Sequence, residues 1–429
     1  MNVRQDWDKY INLEIAIGVN NLKGEINLPG SESFYPAKFV EAQVTRIREV
    51  IGKEKALVAV SGGVDSTTCA VLVNKAIGEN LVCIIIDDAF MREGEPEHVA
   101  EILAKDPFNV QLKIVNARER FLSAMKGLRD AEEKRKVFRE TFYTVLSEVA
   151  EKEKCQFLVQ GTIRADIIET VGGVKTQHNV LEQMGINTVD RYGFKVVEPL
   201  VTLYKGQVRM SARYLGLPAE LAERQPFPGP GLSVRIVGEI RPDKLETVKK
   251  ATSIAERELA KFAPSQYFAT IIDNEAIEDS IVFHIQQAVA QFLNIPLRSI
   301  QVQFFADKAT GVKSGKRSYG KIIGVKVKAL NGKLYQASIQ KLIDLQVGIT
   351  EIDPTIARIL YAIEDLPEKK PYVVGLRVVQ TKDFLTAEVS EIPWATLSEI
   401  AEEIIKKCPN VSTVYYDVTP KPPATIEME

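Results

Sequence analysis

The sequence predicts an α/β fold built on a parallel sheet, followed by a second, α+β region. Three observations predict it. Stretches that are apolar throughout, ALVAV (Ala56–Val60), LVCIII (Leu81–Ile86) and FLVQG (Phe157–Gly161), alternate with charge-rich helical patterns, as strands covered on both faces of a parallel sheet do. The first of these strands stops at Gly62-Gly63 and runs straight into a helical pattern. After Leu217 the texture changes, through a Pro/Gly-dense stretch, to strand-like alternation.

The elements follow in order. Residues 1–35 read as an extension, a strand or arm ending in the turn Pro29-Gly30-Ser31. From Pro36 to Val50 the residues Phe39, Val40, Val44, Ile47 and Val50 fall at helical spacing. The first strand is followed by a helix from Ser66 to Ile77, and the second ends at Asp87-Asp88. Helical patterns cover Pro96–Lys105 and Arg118–Lys154, with a short strand at Val110–Val115 between them. Beyond PFPGPG (Pro226–Gly231) a helical region precedes two similar blocks, Ser318–Leu330 and Pro371–Thr381. Each is an aromatic followed by a β-branched strand with basic residues. Helical stretches follow at Lys341–Leu345 and Ser398–Lys407, and a strand at Val414–Val418. The pattern predicts a duplicated α+β unit. The expected division is 1–35, 36–222 and 223–429.

Composition excludes several classes. The 429 residues carry 55 Lys+Arg against 57 Asp+Glu, a net charge of -2, so no nucleic-acid partner is expected. No apolar run approaches the roughly 20 residues of a membrane helix, and the N-terminus MNVRQDWDKY lacks a signal-peptide core. Cys69, Cys83, Cys155 and Cys408 have no C-x-x-C spacing, which fits reduced, buried thiols and a cytoplasmic location. The three histidines are scattered, which speaks against a histidine-rich metal site.

The most informative segment is SGGVDS, Ser61 to Ser66, set between a buried strand and a helix. Glycines let the backbone approach an anion, and the helix start offers free N–H groups and a positive dipole end. Ser61 and Ser66 add hydroxyl donors. Asp65 is out of place in a phosphate nest unless a cation is present, which points to Mg²⁺. The spacing is not that of a Walker-type loop.

SGGVDS resembles the pyrophosphate loop (PP-loop) of the ATP pyrophosphatases, and the rest resembles one branch, the synthetase part of GMP synthase. The similarity runs through FYPAKFVEAQVTRIREVIG (Phe34–Gly52), IIIDDAFMREGE (Ile84–Glu95), QGTIRADIIET (Gln160–Thr170), VKTQHNV (Val174–Val180), VVEPLVTLYKGQVR (Val196–Arg209), RQPFPGPGLSVRIVGEI (Arg224–Ile240) and YYDVTPKPPATIEME (Tyr415–Glu429). It implies a PP-loop domain followed by a dimerisation domain, with ATP, xanthosine monophosphate and ammonia as substrates and Mg²⁺ as cofactor. It further implies a homodimer and, with only about 35 residues ahead of the similarity, either a separate glutaminase subunit or the use of free ammonia.

The resemblance also implies site residues. Ser61, Gly62, Gly63, Asp65 and Ser66 would hold the leaving pyrophosphate, with Asp65 on the metal and Lys205 on the pyrophosphate. Asp87, at the carboxyl end of a strand, either contacts the nucleotide or caps the next turn. For the acceptor nucleotide the residues are Arg164, Asp166, Pro228, Gly229, Lys421, Thr425, Ile426 and Glu427, the last four in a tail that folds back over the nucleotide. Arg377 is either an acceptor contact or part of a solvated strand face. His178 is either a base toward ammonia or a polar loop residue.

Several positions depart from the family pattern. Gly206 and Gln207 replace an Asp-Glu pair, Asp88-Ala89 an Asn-Gly pair, Gln177 the first of two histidines, Lys313 lies in an altered V-Q-G-D string, and Met428 replaces a Trp. These changes leave two rivals in play: a related enzyme using another nucleotide or nucleophile, and a binding protein without turnover.

Overall fold

The computed structural model describes residues 34–171, 188–381 and 385–429. It opens with α1 (Pro36–Ile51), started by a proline in its first turn and ended by Gly52 at φ 62°, the conformation that favours glycine. Its buried stripe is Val40, Val44, Ile47 and Ile51. Val50, expected in that stripe, is exposed, and Ile51, four positions past Ile47, takes its place.

The first sheet comprises β1 (Lys55–Ala59), β2 (Leu81–Asp87), β3 (Leu112–Asn116), β4 (Cys155–Val159) and β5 (Lys195–Val197), with α2 (Val64–Ile77), α3 (Glu95–Ala104), α4 (Arg118–Ala124), α5 (Ala131–Glu153), α6 (Arg164–Val171), α7 (Thr188–Tyr192), α8 (Lys205–Tyr214) and α9 (Ala219–Ala222) around it. Its order is β3-β2-β1-β4-β5 and every pair is parallel. Ala56 and Val58 pack toward α1, α2 and α8, and Leu57 packs toward α4 and α5. Both faces of β1, and largely those of β2 and β4, are thus covered, which is why these strands read as apolar runs; β3, at the edge, is largely exposed. The order reverses between β1 and β4, leaving a crevice at their carboxyl ends where ligands of open α/β sheets bind.

Three local expectations are corrected. The helix predicted over Arg118–Lys154 is two, α4 and α5. Gly127 at φ 79° turns the chain, and Asp130 caps α5 by accepting from the N–H groups of Glu132 and Glu133 at 3.0 and 2.9 Å. β3 starts at Leu112, not Val110, because Val110 N–H bonds back to Leu103 O at 2.8 Å. α2 starts at Val64, not Ser66.

The second sheet begins after α10 (Pro242–Leu259) with β6 (Gln266–Asp273) and β7 (Ala276–Ile277). It continues through α11 (Val282–Leu293), β8 (Ile300–Lys313), β9 (Lys316–Val327), α12 (Ile339–Ile352), β10 (Ile356–Asp365), β11 (Tyr372–Gln380), β12 (Glu388–Val389), α13 (Trp394–Lys407) and β13 (Val411–Asp417). β8 is antiparallel to β9, and β9 is parallel to β10 across α12. Likewise β6 is antiparallel to β11, and β11 is parallel to β13 across α13. With α10 before β6 and α11 before β8, one helix-strand-strand-helix-strand unit occurs twice, the first nested between β6 and β11 of the second. β10 and β13 join the halves antiparallel. The two similar sequence blocks are β9 and β11, the equivalent strands of the two units.

After β13 the chain returns across the sheet. Met428 packs among Val237, Ile272, Phe305 and Tyr415, and Ile426 among Phe268, Val379 and Ala387. The tail is therefore core; the unbranched Met428 fills the gap at the position where a Trp was expected. All four cysteines are free and buried. No helix among the described residues is long and apolar enough to cross a membrane.

Candidate active site

The loop after β1 and the start of α2 form one interlocked turn. Gly62 has φ 76°. Ser66 Oγ donates to Gly63 O at 3.2 Å and accepts from Ser61 N–H at 3.1 Å, and the two serine hydroxyls lie 3.1 Å apart. Gly161, just past β4, lies so close that a Cβ there would stand 2.9 Å from Ser66 N and 3.0 Å from Asp65 C. The close approach sets the carboxyl end of β4 against the N-terminus of α2. The first turn of α2 thus starts at the carboxyl edge of the sheet, beside the crevice between β1 and β4.

Lys205, the first residue of α8, reaches across to this turn. Its Nζ donates to Asp65 Oδ2 at 2.6 Å, with both side chains about one-third or less exposed. The other oxygen, Asp65 Oδ1, is buried and has no hydrogen-bond partner. An orphaned carboxylate oxygen beside a phosphate-sized nest suits a hard cation. Among the described residues no three His, Cys, Asp or Glu groups cluster, so a Mg²⁺ ion on Asp65 would complete its shell from substrate phosphates and water. Gln207 explains its own departure: its Oε1 accepts from Tyr204 N–H at 2.9 Å. It does the capping work open to Glu or Gln alike at the third helical position, and its side chain is turned to its own helix start. Around Gly206 a side chain would meet nothing within 4 Å.

Asp87, at the end of β2, is held by Ala89 N–H at 3.1 Å and Arg118 at 3.3 Å. It lines a cavity of about 400 Å³ with Arg92, Arg118 and Lys249 among others. It thus caps the next turn and at the same time faces open space. Beside it, Ala89 sits at φ 74°, a conformation that suits the glycine expected there. Asp88 accepts from Phe90 N–H at 2.7 Å, and burial raises its carboxyl to about 7.

The acceptor residues fall in separate places. Arg164 lies over the Tyr204 ring, 5.2 Å from its centroid, and so beside Lys205 rather than the tail. Asp166 accepts from Ile163 N–H at 2.9 Å, at the start of α6. In the Pro226–Gly231 stretch, Pro228 O accepts from Gly231 N–H, and Leu232 N–H reaches Phe90 O at 2.8 Å. Gly231 has φ 60°, and a Cβ there would lie 2.5 Å from Phe90 O, so this stretch is pressed against the loop after β2. Gly229 lies between. Lys421 pairs its backbone with Ala387. His178 and Gln177 lie outside the described residues.

The tail residues Thr425 and Glu427 sit over three fully buried arginines. Arg235 binds Glu427 through two 3.0 Å hydrogen bonds. Arg358 donates to Thr425 Oγ1 at 2.8 Å and to Asp417 at 3.1 Å. Arg377 donates to Thr425 O at 3.0 Å and lies 3.3 Å from Asp417. The solvated reading of Arg377 is thereby overturned: the returning tail covers it completely. Three cations face two carboxylates here, and Arg235 Nη1, Arg358 Nε and Arg377 Nε have no hydrogen-bond partner.

Sequence reasoning missed Arg235 and Arg358, and also Glu95 and Arg224. Glu95 is buried against Gly62, and Arg224 lies 2.6 Å from it. Isolated charges carry no periodicity, so the signal for Glu95, Arg224 and Arg235 was their place in the motif-rich segments Ile84–Glu95 and Arg224–Ile240, and Arg358, a single charge among the apolar residues at the start of β10, had none.

Comparison with known proteins gives consistent matches. The PP-loop domain family model matches residues 36–218, and that of the GMP synthase C-terminal domain matches residues 368–428. The chain is 43% identical over 397 residues to one subunit of the glutamine-hydrolysing GMP synthase of Sulfurisphaera tokodaii, covering 92% of this chain and 100% of that one. It is 43% identical to the subunit of the same name from Saccharolobus solfataricus, with the same coverage. It is 39% identical to that of Methanopyrus kandleri, again over 92% of this chain and all of the relative.

Proposed function

The chain belongs to the family of synthetase subunits of GMP synthase, ATP-dependent ligases with a PP-loop ATP pyrophosphatase domain, and on that premise we propose how its own residues carry the reaction. Xanthosine monophosphate is the acceptor. Its 2-oxygen attacks the α-phosphorus of ATP, the bond to the α,β-bridging oxygen breaks, and pyrophosphate leaves. Ammonia then adds at C2, gives up a proton, and AMP leaves with the original oxygen, yielding GMP.

The observation that carries this reading is the Asp65–Lys205 pair at the start of α2, with one carboxylate oxygen unpartnered. Ser61, Gly62, Gly63 and Ser66 cradle the β- and γ-phosphates through amides and hydroxyls. Lys205 gives one hydrogen to Asp65 and has two more for the departing pyrophosphate. Such donors, aimed where charge develops, supply the main electrostatic stabilisation. Asp65 Oδ1 would hold Mg²⁺, whose chemistry is neutralisation of the leaving pyrophosphate. Asp87 faces the nucleotide from the end of β2.

Acceptor binding falls to Arg164 and Asp166, to the Pro228-Gly229 backbone, and to Lys421, Thr425, Ile426 and Glu427. The buried surplus of positive charge beneath Thr425 and Glu427 supports an anionic acceptor there. The relatives are named as one subunit of a glutamine-hydrolysing enzyme, which supports a separate glutaminase subunit as the source of ammonia, and two copies of the present chain associate as a homodimer.

The test is release of pyrophosphate and GMP from ATP, Mg²⁺, xanthosine monophosphate and ammonium. Both products should appear in equal amounts, and glutamine alone should give neither. Pyrophosphate release without GMP, or dependence on a different acceptor, would overturn the reading.

A further inference from the structure

We propose that Glu95 and Arg224 form a charge-balanced clasp that positions the pyrophosphate loop and ties it to the segment leading into Pro226–Gly231. Glu95, the first residue of α3, is 2% exposed and lies directly against Gly62: a Cβ on Gly62 would stand 2.8 Å from its Oε1. A bare carboxylate here would repel the phosphates that the loop is built to receive. Arg224 answers it at 2.6 Å and, from the same nitrogen, reaches Gly62 O at 3.5 Å.

The clasp is continuous with the second sheet. Glu95 Oε2 accepts from Arg92 N–H at 3.1 Å, and Arg92 binds Glu256 on α10 through hydrogen bonds of 2.7 and 2.8 Å. Gln225, next to Arg224, donates to Glu256 and accepts from Tyr267 N–H. Phe227 lies under Arg92, 4.2 Å from ring centroid to guanidinium. Glu95 and Arg224 are thus positioning residues. They act through the loop, and what matters is that their charges cancel beside it.

The inference rests on Ser61–Ser66 being the ATP-phosphate loop. The experiment is titration of the full chain with a non-cleavable α,β-methylene ATP analogue and Mg²⁺, alongside KM values for ATP and ammonium. Arg224→Gln leaves Arg92, 3.7 Å from Glu95 and already bound to Glu256, as the one cation against two carboxylates, a net negative charge beside the loop, and should weaken analogue binding and raise the KM for ATP at least about tenfold, with the KM for ammonium unchanged. Glu95→Gln combined with Arg224→Gln removes both charges and should return analogue affinity to within about threefold of wild type. A purely structural clasp predicts the reverse, since the double variant loses both anchors. A double variant that binds as weakly as Arg224→Gln, or a single variant that binds like wild type, overturns the inference. If Arg224→Gln alone does not fold, the double variant against wild type decides in the same way. Failure of the wild-type chain to bind the analogue would instead count against the loop assignment itself.

Discussion

Lys205 donates to one oxygen of Asp65 at 2.6 Å, while the other oxygen of the same carboxylate is buried without a partner. The two residues are 140 positions apart, and they meet because α8 starts at the carboxyl edge of the same sheet that launches α2. On the proposed reading, the pair would join a cation for the leaving group to a ligand oxygen for Mg²⁺.

Removing either half should cut turnover steeply without unfolding the chain. Lys205→Met is expected to lower kcat about 100-fold or more, the scale of losing a donor to developing charge. Asp65→Asn should in addition abolish the Mg²⁺ dependence of what activity remains. Pyrophosphate release across a Mg²⁺ titration, with far-ultraviolet circular dichroism as the folding control, checks both.

Gly161→Ala should be as damaging as a loop mutation although it lies outside the loop. Its Cβ would sit 2.9 Å from Ser66 N and 3.0 Å from Asp65 C, and backbone cannot rotate away. The start of α2 must shift, so the KM for ATP should rise about tenfold or more, by analogy with the cost of displacing positioned groups. Initial-rate kinetics against ATP would show it.

Asp88→Asn should stabilise the protein, and only above acidic pH. Burial raises the Asp88 carboxyl from an ordinary 3.8 to about 7, so the folded chain holds its proton more tightly than the unfolded chain. Stability is therefore undiminished below pH about 4, falls as pH rises through 7, and is flat beyond. Asparagine keeps the acceptor for Phe90 N–H and has nothing to ionise. Denaturant titrations should show a gain on the order of 2–4 kcal/mol at pH 8 and almost none at pH 4.

Lys134 and Glu429 form a fully buried ion pair between α5 and the tail, and Lys134 also donates to Ile236 O and Gly238 O at 2.8 Å each. Lys134→Met leaves the carboxylate stranded and should cost about 3–5 kcal/mol. Adding Glu429→Gln should recover part of that loss. Urea unfolding of the two variants measures the difference.

Gln207→Glu should change stability by less than about 0.5 kcal/mol, because either side chain caps α8. Gln207→Ala, which frees Tyr204 N–H, should cost about 1 kcal/mol and weaken the hold on Lys205. Thermal melts paired with pyrophosphate release would separate the two effects.

The parts legible in the sequence are those whose cause is local. SGGVDS is contiguous, and a buried strand followed by two glycines and a helix start makes an anion nest wherever it occurs. Strands β1, β2 and β4 announced themselves because both faces are covered, whereas β3, largely exposed at the sheet edge, was misplaced by two residues and β5, three residues long, was not read at all. The equivalence of β9 and β11 was visible because each carries an aromatic followed by a β-branched pair, a glycine, and a basic residue among further aliphatics. The break between α4 and α5 was hidden, since charged residues at helical spacing run up to Gly127 and resume after Asp130.

By itself, then, the sequence determined the two-part α/β and α+β plan, the phosphate loop and the duplicated unit, because periodicity, glycine and proline act over a few residues. Only the tertiary structure decided the fate of the charges. Arg377 on β11 has the spacing of a solvated strand residue and is fully buried, because a tail 48 residues further on closes over it. Glu95 and Arg224 are opposed only because the linker returns beneath the loop, bringing Arg224 to Gly62 across 162 residues. A buried charge needs a partner, and which partner it finds is set by where the chain comes back.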